Sequence, residues 1–274
     1  MEHRLALPYG ELCWDELGPV DAVQPMVLLH GFPHDRELWA EQRSARASVF
    51  PDARLLIPDL PGFGRSAPLH VATMDGYADA VAAMLDAAGI KRAVIAGLSM
   101  GGYVAFAFWR RHADRVKALV LLDTKAAADT EGAKDKRREL IAAVERRGVD
   151  PIVPGLIPGQ LGETTRATRS ALVARVEAML RRAPAQGVIG AAHAMMERVD
   201  SMPTLETITV PTLVIVGEED TLTPVSDAIA LSSAIAGSRL VTIHQAGHLS
   251  PLEQPAIVNA AIAEFLDVAG LPTD

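Results

Sequence analysis

Six short, almost wholly apolar runs constrain the fold more than any other feature of the chain: Met26 to Leu29, Leu55 to Ile57, Ala93 to Ala96, Ala118 to Leu122, Thr212 to Val216 and Leu240 to Ile243. Such runs lack the alternation of a strand with one wet face, and β-favouring residues dominate them, so each reads as a strand covered on both sides. Met74 to Ala88 and Ala256 to Val268 carry the spacing of crossover helices, which makes the class α/β with a mostly parallel sheet. Near the start, Arg4 to Leu7 and Glu11 to Glu16 flank Pro8-Tyr9-Gly10 and read as an antiparallel hairpin at the sheet edge.

Between Asp123 and Pro203 the strand rhythm stops. Ala, Arg, Lys and Glu with helical spacing, as in Lys134 to Arg147 and Arg169 to Arg182, point to an inserted helical cap. Within it, Pro151 to Gly162 holds three prolines and three glycines and is expected to be a loop or hinge. With 274 residues, 49% of them hydrophobic, the chain can bury one large core plus a modest insertion. A net charge of −8 argues against nucleic acid as partner, since phosphate backbones draw clustered Lys and Arg. The lone Cys13 cannot form an internal disulfide and is expected on a buried strand. Met1 to Leu5 runs into Pro8 and Gly10 without the apolar region of a secretion signal, and no apolar stretch is long enough for a bilayer. A cytoplasmic, soluble protein without membrane association is therefore expected.

The chemistry concentrates after the apolar runs. Ala93 to Ala96 leads into Gly97-Leu98-Ser99-Met100-Gly101-Gly102 and then a helix, the pattern of a nucleophile elbow, where only small residues two positions either side of Ser99 avoid a clash. A glycine-rich turn of this kind could instead cradle a phosphate, but neither G-x-G-x-x-G nor a P-loop G-K-[ST] is present. After Met26 to Leu29 comes His30-Gly31-Phe32-Pro33. This could be an ordinary turn, yet it can also aim the Phe32 amide at the same point as the Met100 amide, as an oxyanion requires. Thr212 to Val216 leads into Gly217-Glu218-Glu219-Asp220, in which Asp220 is the candidate that can reach back over the sheet, whereas Glu218 and Glu219 read as a solvated face. His248, in Gly247-His248-Leu249-Ser250-Pro251, follows the last strand and completes the chain order Ser, Asp, His. Apart from that order His244 is nearly as good, and Asp123, ending the strand before the cap, is a rival acid. His34, Trp39, Phe63 and His193 are candidates to line the pocket, as are the cap methionines Met179, Met195, Met196 and Met202, although methionines at helical spacing more often pack a core.

Taken together, these stretches resemble the α/β-hydrolase superfamily over essentially the whole chain. Asp59-Leu60-Pro61-Gly62-Phe63-Gly64-Arg65-Ser66 is similar to the family's D-x-x-G-x-G-x-S loop, and Leu119 to Asp123 to the strand that leads into the cap. The resemblance implies an eight-stranded, mostly parallel sheet with its second strand antiparallel, a core over 1–124 and 204–274, and a cap over 125–203. Carried over residue by residue, Ser99, Asp220 and His248 match the triad, and Phe32 and Met100 the oxyanion hole. The wording around His30 and Ser99 resembles small carboxylesterases and enol-lactone hydrolases of the 3-oxoadipate type. Related dehalogenases and epoxide hydrolases need an aspartate at the elbow, and dienelactone hydrolases a cysteine, whereas this chain has Ser99. The implied activity is hydrolysis of a small ester or lactone with no metal and no organic cofactor, and a homodimer is possible. The same triad could also serve amide or carbon–carbon cleavage, peracid formation, or a weakly hydrolytic ligand receptor.

Overall fold

The computed structural model describes residues 1–22 and 24–269, so the last part of the expected core segment, 270–274, lies outside the described residues. Eight strands form one sheet: β1 (Glu2–Leu7), β2 (Gly10–Leu17), β3 (Gln24–Leu29), β4 (Ala53–Pro58), β5 (Ala93–Leu98), β6 (Val116–Leu122), β7 (Thr212–Gly217) and β8 (Arg239–Ile243). Their spatial order is β1-β2-β4-β3-β5-β6-β7-β8. β2 runs antiparallel to both neighbours, and every other pair is parallel. Each apolar run is thus a strand, generally extended by a residue or two at its ends.

The apolar runs are continuous because both faces are dry. Along β3, Val27 and Leu29 join one core with Ile95, Leu119 and Val214, while Met26 and Leu28 join the other with Leu55, Val94 and Val120. Helices Met74–Ala87, Met100–His112 and Val225–Ala234 cover the first face, and Pro255–Val268 contributes to the second. Each large aliphatic side chain so enclosed contributes about 1.5–3 kcal/mol relative to exposure. Cys13 lies buried on β2 as expected, its thiol donating to the Arg65 carbonyl. The strand order reverses at β3: the chain steps outward to β4 and then crosses back to β5. Loops leaving the carboxyl ends of β3 and β5 therefore open a crevice, the usual ligand position in an open α/β sheet.

Between β6 and β7 come six helices: Glu131–Arg147, Val153–Gln160, Glu163–Thr168, Ser170–Arg181, Ala185–Met196 and Met202–Leu205. The first starts earlier than its apolar spacing suggested because the Thr130 side chain accepts the Ala133 N–H and caps it. The expected loop from Pro151 to Gly162 is instead a short 3₁₀ turn, Asp150–Ile152, followed by the helix Val153–Gln160. Its first two prolines sit in opening turns, where the missing N–H would have had no helical partner. Val153, Ile157 and Gln160 face inward, and this packing offsets the poor propensity of the glycines.

Only Pro158 lies inside the helix, exposed, where it removes the bond that residue 158 would make to the Pro154 carbonyl. Pro158→Ala restores that donor, and the helix gain exceeds the unfolded-chain entropy that proline removes. Urea unfolding is expected to give a variant about 1 kcal/mol more stable. A variant less stable than the parent would contradict the helical reading of this segment.

Candidate active site

Ser99 joins β5 to the helix Met100–His112 with φ 54° and ψ −112°, a conformation that costs about 1–3 kcal/mol for a residue with a side chain. The turn is too tight for bulk nearby: a Cβ on Gly97 would stand 2.3 Å from the Gly101 carbonyl oxygen, and one on Gly101 would stand 2.3 Å from the Leu29 carbonyl oxygen. Backbone and side-chain hydrogen bonds hold the strained unit. Ser99 N–H donates to the Leu122 carbonyl at 2.9 Å, and the Ser99 carbonyl accepts from Gly102 N–H at 2.9 Å and from Thr124 Oγ1 at 2.8 Å. Ser99 is left half-buried between the fully buried Leu98 and Met100.

His248, on the loop after β8, is buried, and its Nδ1 meets Asp220 Oδ2 at 2.8 Å. Asp220 is itself fixed from below: its Oδ1 accepts Leu222 N–H at 2.8 Å and Thr223 N–H at 3.0 Å, and its Oδ2 accepts the Thr223 hydroxyl at 2.7 Å. Burial works against ionising either group, but their mutual attraction wins. It holds the Asp220 carboxyl below its ordinary value and the His248 ring above its own.

Asp123 lies close by with a different set of partners. Its Oδ1 accepts Gly217 N–H at 2.8 Å and its Oδ2 meets the Ser250 hydroxyl at 2.5 Å, so it ties the end of β7 to the histidine loop. Burial, reinforced by the Asp220 charge, pushes its carboxyl well up. Of the two aspartates, Asp220 is the one that stays anionic against the imidazole. His244 is exposed and paired with Glu218.

Ser99 and His248 open into one cavity of about 680 Å³, with Phe32, Tyr103, Leu156 and Met195 among its walls. Met100 begins its helix, so its N–H has no helical acceptor and sits at the positive end of the helix dipole. Gly31 packs directly on the elbow, since a Cβ there would stand 3.3 Å from Ser99 Cβ, and this brings the Phe32 backbone alongside. His30 is a brace beneath this loop: its Nε2 accepts Leu60 N–H at 2.9 Å, and burial pulls its pKa below the ordinary histidine value.

The remaining lining candidates fall elsewhere. Trp39 and Phe63 are fully buried in the core, Met179 is buried in the second apolar cluster from the helix Ser170–Arg181, and Met196 packs with Ile141 and Ala192 of the inserted helices. His193 is exposed, and Met202 packs against the first core as a partly buried residue. These positions are corrected to packing or surface roles, because an aromatic or methionine serves a core as readily as a pocket. His34 is buried beside the cavity, with Nε2 2.8 Å from Oε1 of the wall residue Gln160, and burial pulls its pKa down to about 4.

A set of contacts invisible as a motif gathers at the cap turn 160–164. Gln160 bonds His34 of the β3 loop. Glu219, beside Asp220, accepts Thr164 N–H at 2.8 Å and also its hydroxyl. Buried Glu253 accepts Gly247 N–H at 2.9 Å and Leu249 N–H at 3.2 Å with one oxygen, and Gly162 N–H at 2.9 Å with the other. It therefore clamps both flanks of His248 and joins them to the cap. The one available signal was its position, five residues after His248 and at the end of the short helix Ser250–Glu253; a carboxylate in a polar loop otherwise reads as solvated.

Among the described residues, no group of three or more His, Cys, Asp or Glu side chains is placed to hold a metal ion, and no helix is long and apolar enough to cross a membrane. A strained serine at a strand-to-helix turn over a doubly covered, mostly parallel sheet defines an α/β-hydrolase architecture. The family model for the alpha/beta hydrolase fold matches residues 24–255, and the chain belongs to that family. It is 28% identical over 254 residues to a pimeloyl-acyl-carrier-protein methyl ester esterase of Neisseria meningitidis, covering 90% of this chain and 95% of that one. It is also 28% identical over 238 residues to 3-oxoadipate enol-lactonase 1 of Acinetobacter baylyi, covering 87% and 86% respectively. A thermophilic esterase structure from Thermogutta terrifontis superposes with a TM-score of 0.90 at 38% identity, covering 97% of this chain and 98% of that one.

Glu253→Ala would leave three buried amide donors without an acceptor, each costing about 1–3 kcal/mol where water cannot enter. Chemical denaturation should show a loss of about 3 kcal/mol or more. A loss under about 0.5 kcal/mol, the scale of an ordinary surface substitution, would refute the clamp.

Proposed function

We propose that this protein is a serine hydrolase that cleaves carboxylic esters or lactones of small molecules through an acyl-Ser99 intermediate. The observation that carries the reading is the one cavity lined by both a strained, half-buried Ser99 and a buried His248 locked to Asp220. The names of the relatives, a methyl ester esterase, an enol-lactonase and an esterase, support the same bond type.

A hydroxyl is a weak nucleophile at neutral pH, so His248 takes its proton through Nε2 as Ser99 Oγ attacks the carbonyl carbon. Asp220 on Nδ1 sets the tautomer and stabilises the imidazolium that forms. The oxyanion is received by the Phe32 and Met100 amides, each such donor being worth about 10²-fold or more in rate. His248 returns its proton to the leaving alkoxide, the acyl group stays on Ser99, and water activated by the same imidazole releases the acid. No step as written calls on a metal or an organic cofactor. Residues 125–203 act as the cap that shapes the substrate pocket.

Nitrophenyl esters of rising chain length and a set of lactones, assayed with the parent and with Ser99→Ala, test this reading. Turnover is expected in the parent and is expected to vanish in the variant; activity that survives would refute Ser99 as nucleophile. Asp220→Asn should lower kcat by about 10³–10⁴-fold through loss of the correct tautomer. Asp123→Asn, which keeps an acceptor for Gly217 N–H, should stay within about tenfold of the parent, less than the cost of one oxyanion donor. Equal losses in the two variants would sink the assignment of Asp220.

The base must be neutral to act, so kcat/KM rises with pH as His248 deprotonates. Asp220 holds that pKa above the ordinary histidine value, so the acidic limb lies higher than an unperturbed imidazole would put it. In Asp220→Asn the attraction is gone while burial remains, and the limb of the residual activity should move to lower pH. An unmoved limb would mean that another group titrates.

A further inference from the structure

The charges around the cavity run against those of the chain. The protein carries a net charge of −8, yet the charged residues of the cavity wall, apart from His248, are Lys125, Lys136 and Arg137 against a single carboxylate, Asp129. That carboxylate is already spent: its side chain is buried, with Arg137 at 2.5 Å and Arg198 at 2.7 Å. Arg198 also lies 4.1 Å over the ring of the wall residue Tyr103, which fixes the pair in place.

The two lysines differ from the arginines. Among the described residues neither has an ion pair or a hydrogen bond through its ammonium; Lys125 acts at longer range on Asp227, whose own carboxyl is pushed up by burial. Lys125 is only half-exposed and follows Thr124, the residue that holds the Ser99 carbonyl, so its backbone is anchored to the elbow itself. Lys136 and Arg137 reach the cavity wall from the helix Glu131–Arg147. Two uncommitted cations thus border a pocket whose other walls are largely apolar; Lys136 is exposed, whereas the half-exposed Lys125 is screened less than a charge on open surface. The global negative charge does not cancel them, because beyond about 8 Å it is screened at physiological ionic strength.

Resting on the ester-hydrolase reading above, we propose that the natural substrate carries a free carboxylate besides the bond that is cleaved, as in a half-ester of a dicarboxylic acid, and that Lys125 and Lys136 receive it. The carboxylate sets the substrate's orientation while its ester carbonyl lies at Ser99, so the charge is read in kcat/KM.

The test compares monoethyl esters of C4 to C6 dicarboxylic acids with ethyl alkanoates of matching length. The parent is expected to favour the charged member of each pair by about tenfold or more, with the advantage shrinking as NaCl is added. In Lys125→Gln/Lys136→Gln that ratio should fall about tenfold, and in Lys125→Arg/Lys136→Arg, which keeps both charges, it should persist. A parent that treats both members alike, or a ratio untouched by the glutamine pair, overturns the proposal. Should no ester be turned over, the hydrolase reading fails separately, and calorimetry with free adipate still decides. Binding by the parent that weakens about tenfold in the glutamine pair supports the carboxylate site, and no binding by the parent overturns it.

Discussion

Two backbone contacts at the elbow govern the arrangement of everything above the sheet. Gly97 stands against the Gly101 carbonyl, and Gly101 against the Leu29 carbonyl, so β3, β5 and the helix beginning at Met100 meet at van der Waals range without side chains between them. That closeness forces Ser99 into a disfavoured conformation, and it also sets the loop carrying Phe32 beside the first amides of the helix. The strain is sustained because β6 supplies the Leu122 carbonyl to Ser99 N–H and the residue after Asp123 supplies a hydroxyl to its carbonyl. Ser99 is therefore held by three parallel strands at once, and the cost is spread across the best-buried part of the molecule.

The buried charges follow a similar economy. Asp123 and Asp220 lie near the same imidazole, and the low-dielectric interior does not favour two anions there. The structure separates them by partner. Asp220 receives two amides, a hydroxyl and the histidine ring, whereas Asp123 bridges an amide and the Ser250 hydroxyl. The attraction of the His248 ring, backed by the Thr223 donors, decides that Asp220 keeps its charge, and the other carboxyl joins β7 to the loop that carries His248.

Much of this was legible before any coordinates. The six apolar runs could be read as strands because a sheet covered on both faces leaves no polar alternation to confuse them, and Ser99, Asp220 and His248 could be singled out because each follows such a run in a fixed chain order. Single residues without a pattern were not legible. Trp39 and His193 have types that suit a pocket, but burial of one and exposure of the other depend on helix rotation, which composition does not encode. Pro151 to Gly162 misled for a physical reason: prolines in the first turn of a helix look identical in sequence to prolines in a loop. Glu253 was hidden because what it does depends on three amides brought together only by folding.

The short turn from Gln160 to Thr164 has a consequence for how such a protein can change over generations. Its links to His34, Glu219 and Glu253 tie it to the loops that follow β3, β7 and β8. The insertion is consequently not an interchangeable module: exchanging it whole for that of a cousin would import a new pocket and at the same time unfasten the machinery beneath. Diversification is free to proceed in the helices Glu131–Arg147 and Ala185–Met196, which supply cavity-wall residues outside that turn, while the turn remains the fixed seam along which old and new sequence must agree.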